Sequence, residues 1–156
     1  MPRQLWLLRH GDAEPAGAGP DADRELTDKG RRQSVAAGRA LVRLGVEFEA
    51  VYASPRTRAR DTAGLAAAEL GVSPRVHQPL HGGFTSEDAD ELVSGAGPDA
   101  RILLVGHEPD FSQLVWNLTG GRIDLKKGGL AVIRLPDAEL LVLLRPRELE
   151  LLAGIG

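Results

Sequence analysis

Short apolar segments alternate along this chain with longer segments that have the periodicity of helices. Residues 5–8, 50–53 and 102–105 have the length and apolar content of buried strands. Helical patterns cover 28–45, 54–70 and 109–118, each after one of these segments. This alternation predicts an α/β fold with three layers, α/β/α, around a mostly parallel central sheet.

The remaining segments are predicted from their turn residues and apolar content. Residues 74–86 contain two prolines and two glycines and are expected to form mostly loop. A short helix is predicted from Ser86 to Ser94, and a hairpin with strands at 130–135 and 140–144 would add antiparallel edge strands. At the second predicted helix, Ser54 is expected to be the N-cap and Pro55 the first helical residue.

Composition excludes several classes of protein. A length of 156 residues predicts one domain, 1–156, and 42% hydrophobic residues with a net charge of −3 exclude a generally disordered chain. This charge gives no indication of a nucleic-acid partner. The absence of cysteine excludes disulfides and thiolate metal sites. No apolar run approaches the roughly 20 residues of a membrane span, and the first apolar stretch is too short for a signal peptide, so a cytoplasmic protein without a membrane partner is expected.

Each of the three predicted strands ends in polar residues of the same kinds. The first runs into Arg9-His10-Gly11, and the third runs into Gly106-His107-Glu108-Pro109. The second runs into a helix whose first turn contains Arg58. Because the carboxyl ends of parallel strands meet at one edge of a sheet, two histidines and two arginines are expected to converge there.

These residue types suit the transfer of a phosphoryl group. Its three equatorial oxygens require several fixed hydrogen-bond donors, which forked guanidinium groups and helix N-termini supply. A neutral imidazole is a competent acceptor of the phosphoryl group. Neighbouring arginine charges lower the pKa of a histidine and keep it neutral near pH 7. The sequence therefore predicts a phosphate-handling site at this edge.

The motifs resemble those of the histidine phosphatase superfamily, which is also called phosphoglycerate mutase-like. The tripeptide Arg9-His10-Gly11 after a strand is similar to the family signature. Residues 26–30 resemble its LTxxG segment, residues 54–63 its SPxxRAxxTA stretch, and residues 106–109 its second histidine motif. With its short length and the sequences of residues 9–14 and 106–110, the chain most resembles the small SixA-type phosphohistidine phosphatases.

The resemblance implies the histidine phosphatase fold and a role for each of four residues. His10 would be the nucleophile that becomes phosphorylated. Arg9, Arg58 and His107 would hold the phosphate. The resemblance also implies that the reaction requires neither a metal ion nor another cofactor.

The sequence departs from larger family members in the segment after the second helix. Those members have an acidic proton donor there, whereas residues 79–88 give no clear match. The general acid is therefore Asp12, His81, Glu87 or none. A phosphoester leaves as an alkoxide and benefits from an acid, whereas a phosphohistidine leaves as an imidazole that protonates easily near neutral pH. A phosphorylated histidine protein, such as a phosphorelay or phosphotransfer protein, is predicted as the substrate, with inorganic phosphate as the product.

Three other functions remain open at this point. One is a small-molecule phosphomonoesterase or phosphoglycerate mutase-like enzyme that uses the same residues on a phosphorylated metabolite. Another is a phosphate-binding module without catalytic activity. The third is a metallohydrolase that uses His10, Asp12 and His107, and it predicts loss of activity with a chelator.

Other charged residues near these motifs have more ordinary interpretations. On the second predicted helix, Arg56 and Arg60 share a different face from Arg58 and are expected to be solvated charges. Lys126 and Lys127 precede the predicted hairpin and are typical of a turn. A lysine reaching the phosphate-handling edge is the alternative.

Overall fold

A computed structural model describes residues 2–17 and 19–154 of the chain. Its centre is a six-stranded sheet with the order β3-β2-β4-β1-β5-β6. The strands are β1 (Arg3–Arg9), β2 (Ala50–Ala53), β3 (Arg75–Val76), β4 (Arg101–Gly106), β5 (Leu130–Leu135) and β6 (Glu139–Leu144). The pairs β1–β4, β2–β4 and β2–β3 are parallel, whereas β5 and β6 pair antiparallel. The predicted mostly parallel sheet with an antiparallel hairpin at its edge is confirmed.

The described residues form five α-helices between and after the strands. They are α1 (Asp28–Arg43), α2 (Thr57–Leu70), α3 (Ser86–Ser94), α4 (Asp110–Thr119) and α5 (Pro146–Leu152), with short 3-10 turns at Asp21–Asp23 and Gln78–His81. Thr27 caps α1 by accepting a hydrogen bond from the N–H of Gly30. Gly71 ends α2 in the left-handed conformation, with a φ of 72°.

The structure differs from the sequence-based expectation at three elements. The second helix begins at Thr57 with Arg56 as its N-cap, so the expected cap at Ser54 and first helical residue at Pro55 are wrong. The two-residue strand β3 lies inside the predicted loop. The helix α5 has only seven residues and was not expected.

Two apolar cores lie on opposite faces of the sheet. Trp6 and Leu8 pack with residues of α1, α2 and α5. Leu5 and Leu7 point to the other face and pack with residues of α3 and α4. This alternation along β1 produces the expected α/β/α layers. It also aligns the carboxyl ends of β2, β4 and β1, with β4 in the middle.

The first strand of the sheet begins at residue 3 and its last strand ends at residue 144, both within the predicted domain, 1–156. Residues 1, 18, 155 and 156 of that range lie outside the described residues. Within the described part, no helix is long and apolar enough to cross a lipid bilayer.

Candidate active site

His10 follows β1 at the point where the three parallel strands end together. Its backbone N–H donates to the carbonyl of Gly106 over 3.1 Å, and its carbonyl accepts from the N–H of Gly128 over 2.8 Å. The residue is 5% exposed, and its Nδ1 lies 2.7 Å from the carbonyl oxygen of Gly11. Since a carbonyl only accepts hydrogen bonds, Nδ1 carries the proton of the neutral ring and Nε2 carries the lone pair.

The backbone after His10 packs against the start of α1. A Cβ at Gly11 would lie 2.5 Å from the carbonyl oxygen of Gly30, and a Cβ at Gly30 would lie 1.9 Å from that of Asp12. Both positions therefore require glycine. The hydroxyl of Thr27 also donates to the Asp12 carboxylate over 2.8 Å. The segment that resembles LTxxG thus supports the loop that carries His10.

His107 follows β4 and lies beside His10, with the two ring centroids 5.3 Å apart. It is 7% exposed, and its Nε2 lies 2.7 Å from the hydroxyl oxygen of Ser54. That oxygen also accepts a hydrogen bond from the N–H of Arg56 over 3.1 Å. Ser54 therefore joins the ends of β2 and β4, a role that its sequence neighbourhood did not indicate.

The contact with the Ser54 hydroxyl indicates which ring nitrogen of His107 carries the proton. Because Ser54 accepts from the Arg56 N–H, its own proton is free to be donated to Nε2 of His107. A neutral ring that accepts at Nε2 carries its proton on Nδ1. In this arrangement His107 offers an N–H donor while the ring remains uncharged.

Burial lowers the pKa of both imidazoles. Desolvation is the main reason that the pKa of His10 falls from 6.5 to about 4; the hydrogen bond to Gly11 opposes it, and Arg58, Arg9 and Lys127 add to the fall. The pKa of His107 falls to about 3, mainly by desolvation and then through His10 and Arg58. Both rings are therefore neutral near pH 7. The direction agrees with the sequence-based expectation, but burial contributes more than the arginine charges.

Two guanidinium groups reach the same edge of the sheet. Arg9 donates through Nη1 to the carbonyl of Leu125 over 3.0 Å. Arg58, 7% exposed, donates through Nη1 to the backbone carbonyl of Asp21 over 2.8 Å and through Nη2 to its carboxylate over 3.2 Å. Desolvation lowers the pKa of both guanidinium groups.

Among residues 2–17 and 19–154, three buried side-chain nitrogens have no hydrogen-bond partner, and all three belong to this cluster. They are Nε of Arg9, Nε of Arg58 and Nδ1 of His107. An unpaired buried polar group costs about 1–3 kcal/mol, so such groups are rare in native proteins and call for an explanation. We refer to these three nitrogens and Nε2 of His10 as the unpaired centre. Its composition suits an anion with several oxygens.

Asp21 and Arg56 belong to the site although the sequence analysis did not select them. Arg56 donates through Nε to the carbonyl of His81 over 2.6 Å and through Nη1 to the Asp21 carboxylate. The expectation that Arg56 is a solvated charge is therefore wrong. The carboxylate of Asp21 also accepts from Arg24 and Arg58, and these contacts, chiefly the one with Arg24, lower its pKa. Asp21 fixes the position of Arg58 from a distant loop, and no local pattern marks it.

The segment 126–129 lies against the end of β1 and brings a lysine towards His10. Gly128, with a φ of 77°, is the residue whose N–H donates to the His10 carbonyl. The Nζ of Lys127 lies 3.7 Å from the Asp12 carboxylate, and its charge contributes to the low pKa of His10. Lys126, in contrast, pairs with a neighbouring surface carboxylate over 2.6 Å. Of the two lysines, Lys127 is therefore the one near the site.

A profile of the histidine phosphatase superfamily (branch 1) matches residues 5–82, which is half of the chain. The chain belongs to the histidine phosphatase superfamily. An uncharacterised protein of Picosynechococcus sp. is 38% identical over an alignment that covers 94% of this chain and 98% of that protein. The superfamily indicated by the motifs is confirmed.

Two solved structures relate this phosphatase to the SixA type. The protein histidine phosphatase SixA, solved with tungstate, aligns with a TM-score of 0.81 and 26% identity over 94% of this chain and 99% of that chain. A candidate phosphohistidine phosphatase SixA from Nakamurella multipartitia aligns with a TM-score of 0.74 and 28% identity over 92% and 96%. The expected histidine phosphatase fold of the SixA type is confirmed.

The three candidate general acids of the phosphatase lie in different surroundings. The Asp12 carboxylate accepts from Thr27, as described above. His81 is exposed, with its Nδ1 2.8 Å from the carbonyl of Gln78. Glu87 is exposed in the first turn of α3. Of these three residues, Asp12 is the one that lies on the loop of His10, two positions after the histidine.

The described part of the phosphatase contains no group of three His, Cys, Asp or Glu side chains that is arranged to hold a metal ion. His10 and His107 each have one ring nitrogen bonded to protein, on Gly11 and Ser54. Asp12 bonds to a hydroxyl and lies near an ammonium group. The ligand set His10, Asp12 and His107 of a metallohydrolase is therefore not assembled.

Proposed function

We propose that this phosphatase removes phosphoryl groups from phosphorylated histidines of proteins and that His10 is its nucleophile. The observation that carries the proposal is the unpaired centre, in which buried nitrogens of Arg9, Arg58 and His107 have no protein partner and His10 is neutral. The proposal includes the single domain, the cytoplasmic location and the independence of metal ions and cofactors that the sequence led us to expect.

In the first step, Nε2 of His10 attacks phosphorus in line with the bond that breaks. A bond forms between Nε2 and phosphorus, and the bond to the substrate imidazole breaks with its electron pair. A substrate ring that holds a proton on its second nitrogen leaves as neutral imidazole. Nδ1 of His10 keeps its own proton, and the carbonyl of Gly11 stabilises the positive charge that the phosphorylated ring gains.

In the second step, water attacks phosphorus and the bond to Nε2 breaks. The electron pair returns to Nε2, so that His10 regains its neutral form. Both protons of the water molecule leave with the product as dihydrogen phosphate. Hydrolysis thus restores the protonation state with which the first step begins.

Arg9, Arg58 and His107 stabilise the equatorial oxygens in both steps. Their unpaired nitrogens are held by buried surroundings and need little reorganisation when charge develops on the phosphoryl group. Two cations and one neutral N–H donor match the dispersed charge of this transition state. A neutral His107 donates without repelling the positive charge that forms on His10.

The leaving group favours a nitrogen–phosphorus bond in the substrate. An alkoxide requires a proton donor. Of the three candidates, His81 and Glu87 are exposed side chains, and the Asp12 carboxylate accepts a hydrogen bond from Thr27. A substrate imidazole that already holds a proton on its second nitrogen departs without a donor, so the surroundings of these three residues support a phosphohistidine substrate over an alkyl phosphate.

Turnover of free phosphohistidine, a phosphorylated histidine protein and an alkyl phosphate tests the proposal. We expect both nitrogen–phosphorus substrates to be hydrolysed faster, with no loss of rate in the presence of a chelator. Faster hydrolysis of the alkyl phosphate would favour the small-molecule phosphomonoesterase instead. A stable phosphoprotein that releases no phosphate would favour a binding module, and inactivation by the chelator would contradict independence of metal ions.

A further inference from the structure

An open groove lies along α4, the helix that begins three residues after His107. The groove has a volume of about 410 Å³ and is lined by Pro109, Ser112, Gln113, Trp116, Arg122 and Ile123. Its first four lining residues have the spacing i, i+3, i+4 and i+7, so they form one face of the helix and the turn before it. Trp116 lies about 10 Å along the axis from Pro109, at the rise of an α-helix.

Hydrogen bonds connect Ser112, at the near end of this α4 groove, with residues next to the candidate active site. Ser112 donates its backbone N–H to the carboxylate of Glu108 over 2.7 Å, and Glu108 directly follows His107. The N–H of Leu125 donates to the Ser112 hydroxyl over 3.4 Å, and the carbonyl of Leu125 accepts from Arg9. A single residue, Leu125, therefore separates the groove wall from the guanidinium group of Arg9.

The far end of the α4 groove offers an aromatic and a cationic side chain. Trp116 is 52% exposed, which is unusual for a residue of this size. Arg122 is exposed, and no carboxylate lines the groove. Tryptophan and arginine are enriched among the residues that dominate protein interfaces. Charge complementarity therefore favours an acidic polypeptide with an apolar side chain against the indole.

We propose that the α4 groove docks the protein that carries the phosphohistidine. A segment of that partner, with apolar and acidic side chains near its phosphorylated histidine, lies along α4 while the phosphoryl group reaches His10. This inference rests on the proposed function. A small phosphorylated metabolite bound at His10 has no need of contacts about 10 Å along α4, so the groove distinguishes large substrates from small ones.

The experiment compares a large and a small substrate with the same variants. The probes are a histidine carrier protein phosphorylated with phosphoramidate, and phosphoramidate itself. For Trp116→Ala and Arg122→Ala we expect KM for the phosphoprotein to rise about five- to thirtyfold, as for typical interface anchors. The kcat/KM for phosphoramidate should stay within about twofold of wild type, as for surface substitutions generally. Leu151→Ala, which truncates a 65% exposed side chain on α5, is the matched control and should change neither value.

Three results would overturn the docking proposal alone. They are an unchanged KM for the phosphoprotein, an equal loss on both substrates, and a dimer that Trp116→Ala dissociates while the kinetics stay the same. The last result would assign the groove to a second copy of the chain. A wild-type enzyme that hydrolyses alkyl phosphates but neither probe would instead contradict the proposed function, and the docking proposal would fall with it.

Discussion

The edge of the sheet around His10 and the segment 77–88 after β3 contribute to the site in opposite ways. At the edge, His10 and His107 are buried and keep one ring nitrogen each without a protein partner. In the segment, the carbonyl of His81 is used to hold Arg56, and the side chain of Glu87 is exposed. Under the proposed function, the edge supplies fixed donors to the phosphoryl group, and the segment supplies no buried proton donor to the leaving group.

The largest effect that this comparison predicts comes from removing His10, the proposed nucleophile. His10→Ala should lower kcat on the order of 10⁶-fold, the size of loss seen when a nucleophile is taken from a catalytic unit. No phosphoenzyme should form with ³²P-labelled substrate. Near-normal turnover by a folded His10→Ala variant would show that the edge is not the site of chemistry.

Loss of one fixed donor should have the next largest effect. Arg58→Ala should reduce kcat about 10²–10³-fold, as for other preorganised charge sites. Arg60, exposed on the same helix, is the matched control, and Arg60→Ala should stay within about twofold of wild type. Steady-state kinetics of both variants make the measurement. Equal losses of kcat in the two variants would mean that the positive charge of the helix supports the reaction, and that the position of the Arg58 guanidinium group does not matter.

The buried histidines should also make stability depend on pH. The folded pKa of His10 is about 4 and that of His107 about 3, against 6.5 for an ordinary histidine. Between these values the unfolded chain binds more protons than the folded one, so stability is full above about pH 6.5 and falls as the pH is lowered. Urea unfolding at several pH values measures this slope.

His10→Asn is the control for this pH dependence. It removes one of the two titrating groups, so the slope below pH 6.5 should become shallower. NMR titration of the ring resonances offers an independent measurement, because both rings should remain neutral at pH 5. A histidine at position 10 or 107 that titrates near its ordinary value would contradict the buried character of the edge.

A smaller loss of activity is expected from removing the charge of Lys127, which lies beside the edge of the sheet around His10. Lys127→Ala should lower activity about two- to fivefold, because a partly exposed charge contributes about 0.2–1 kcal/mol. Lys126→Ala, which removes the neighbouring surface charge, should leave activity unchanged. Kinetics at low and high salt would separate them, since salt screens the contribution of Lys127. An equal response of both variants would contradict a specific role for Lys127.

The smallest effect is expected from the segment 77–88 itself. Glu87→Gln and His81→Asn should keep turnover of phosphohistidine within about twofold. A loss of tenfold or more in either variant would break the comparison, because it would identify the proton donor that the edge lacks. The pH dependence of kcat for that variant would then show whether the missing group controls the acidic or the basic side of the profile.

The fold and much of the site follow from local patterns in the sequence. Arg9 is the last residue of β1, and His10 and His107 come directly after β1 and β4, so parallel packing of the strands is enough to bring them to one edge. Arg58 is selected by its position in the first helical turn. The sequence also shows a glycine at position 30, in the segment that resembles LTxxG. The reason for this glycine is a contact with the loop of His10, which the sequence does not show.

The remaining parts of the site depend on contacts between distant segments. Asp21 lies in a short 3-10 turn that no periodic pattern in the sequence marks, and it bonds to Arg58, which is 37 positions away in the chain. Ser54 before Pro55 has the pattern of a helix cap, and only the neighbouring strand end shows that it bonds to His107. The cause of the low pKa of His10 likewise could not be ranked from sequence, because desolvation depends on packing.

In the proposed mechanism, the hydrogen bond between Nδ1 of His10 and the Gly11 carbonyl determines the chemical isomer of the covalent intermediate. With Nδ1 occupied by a proton, phosphorus can attach only at Nε2, which gives 3-phosphohistidine and never the 1-phospho isomer. Antibodies that distinguish the two isomers would therefore recognise the trapped enzyme with only one of the pair. A backbone oxygen that takes no part in bond making thus sets the regiochemistry of the covalent adduct.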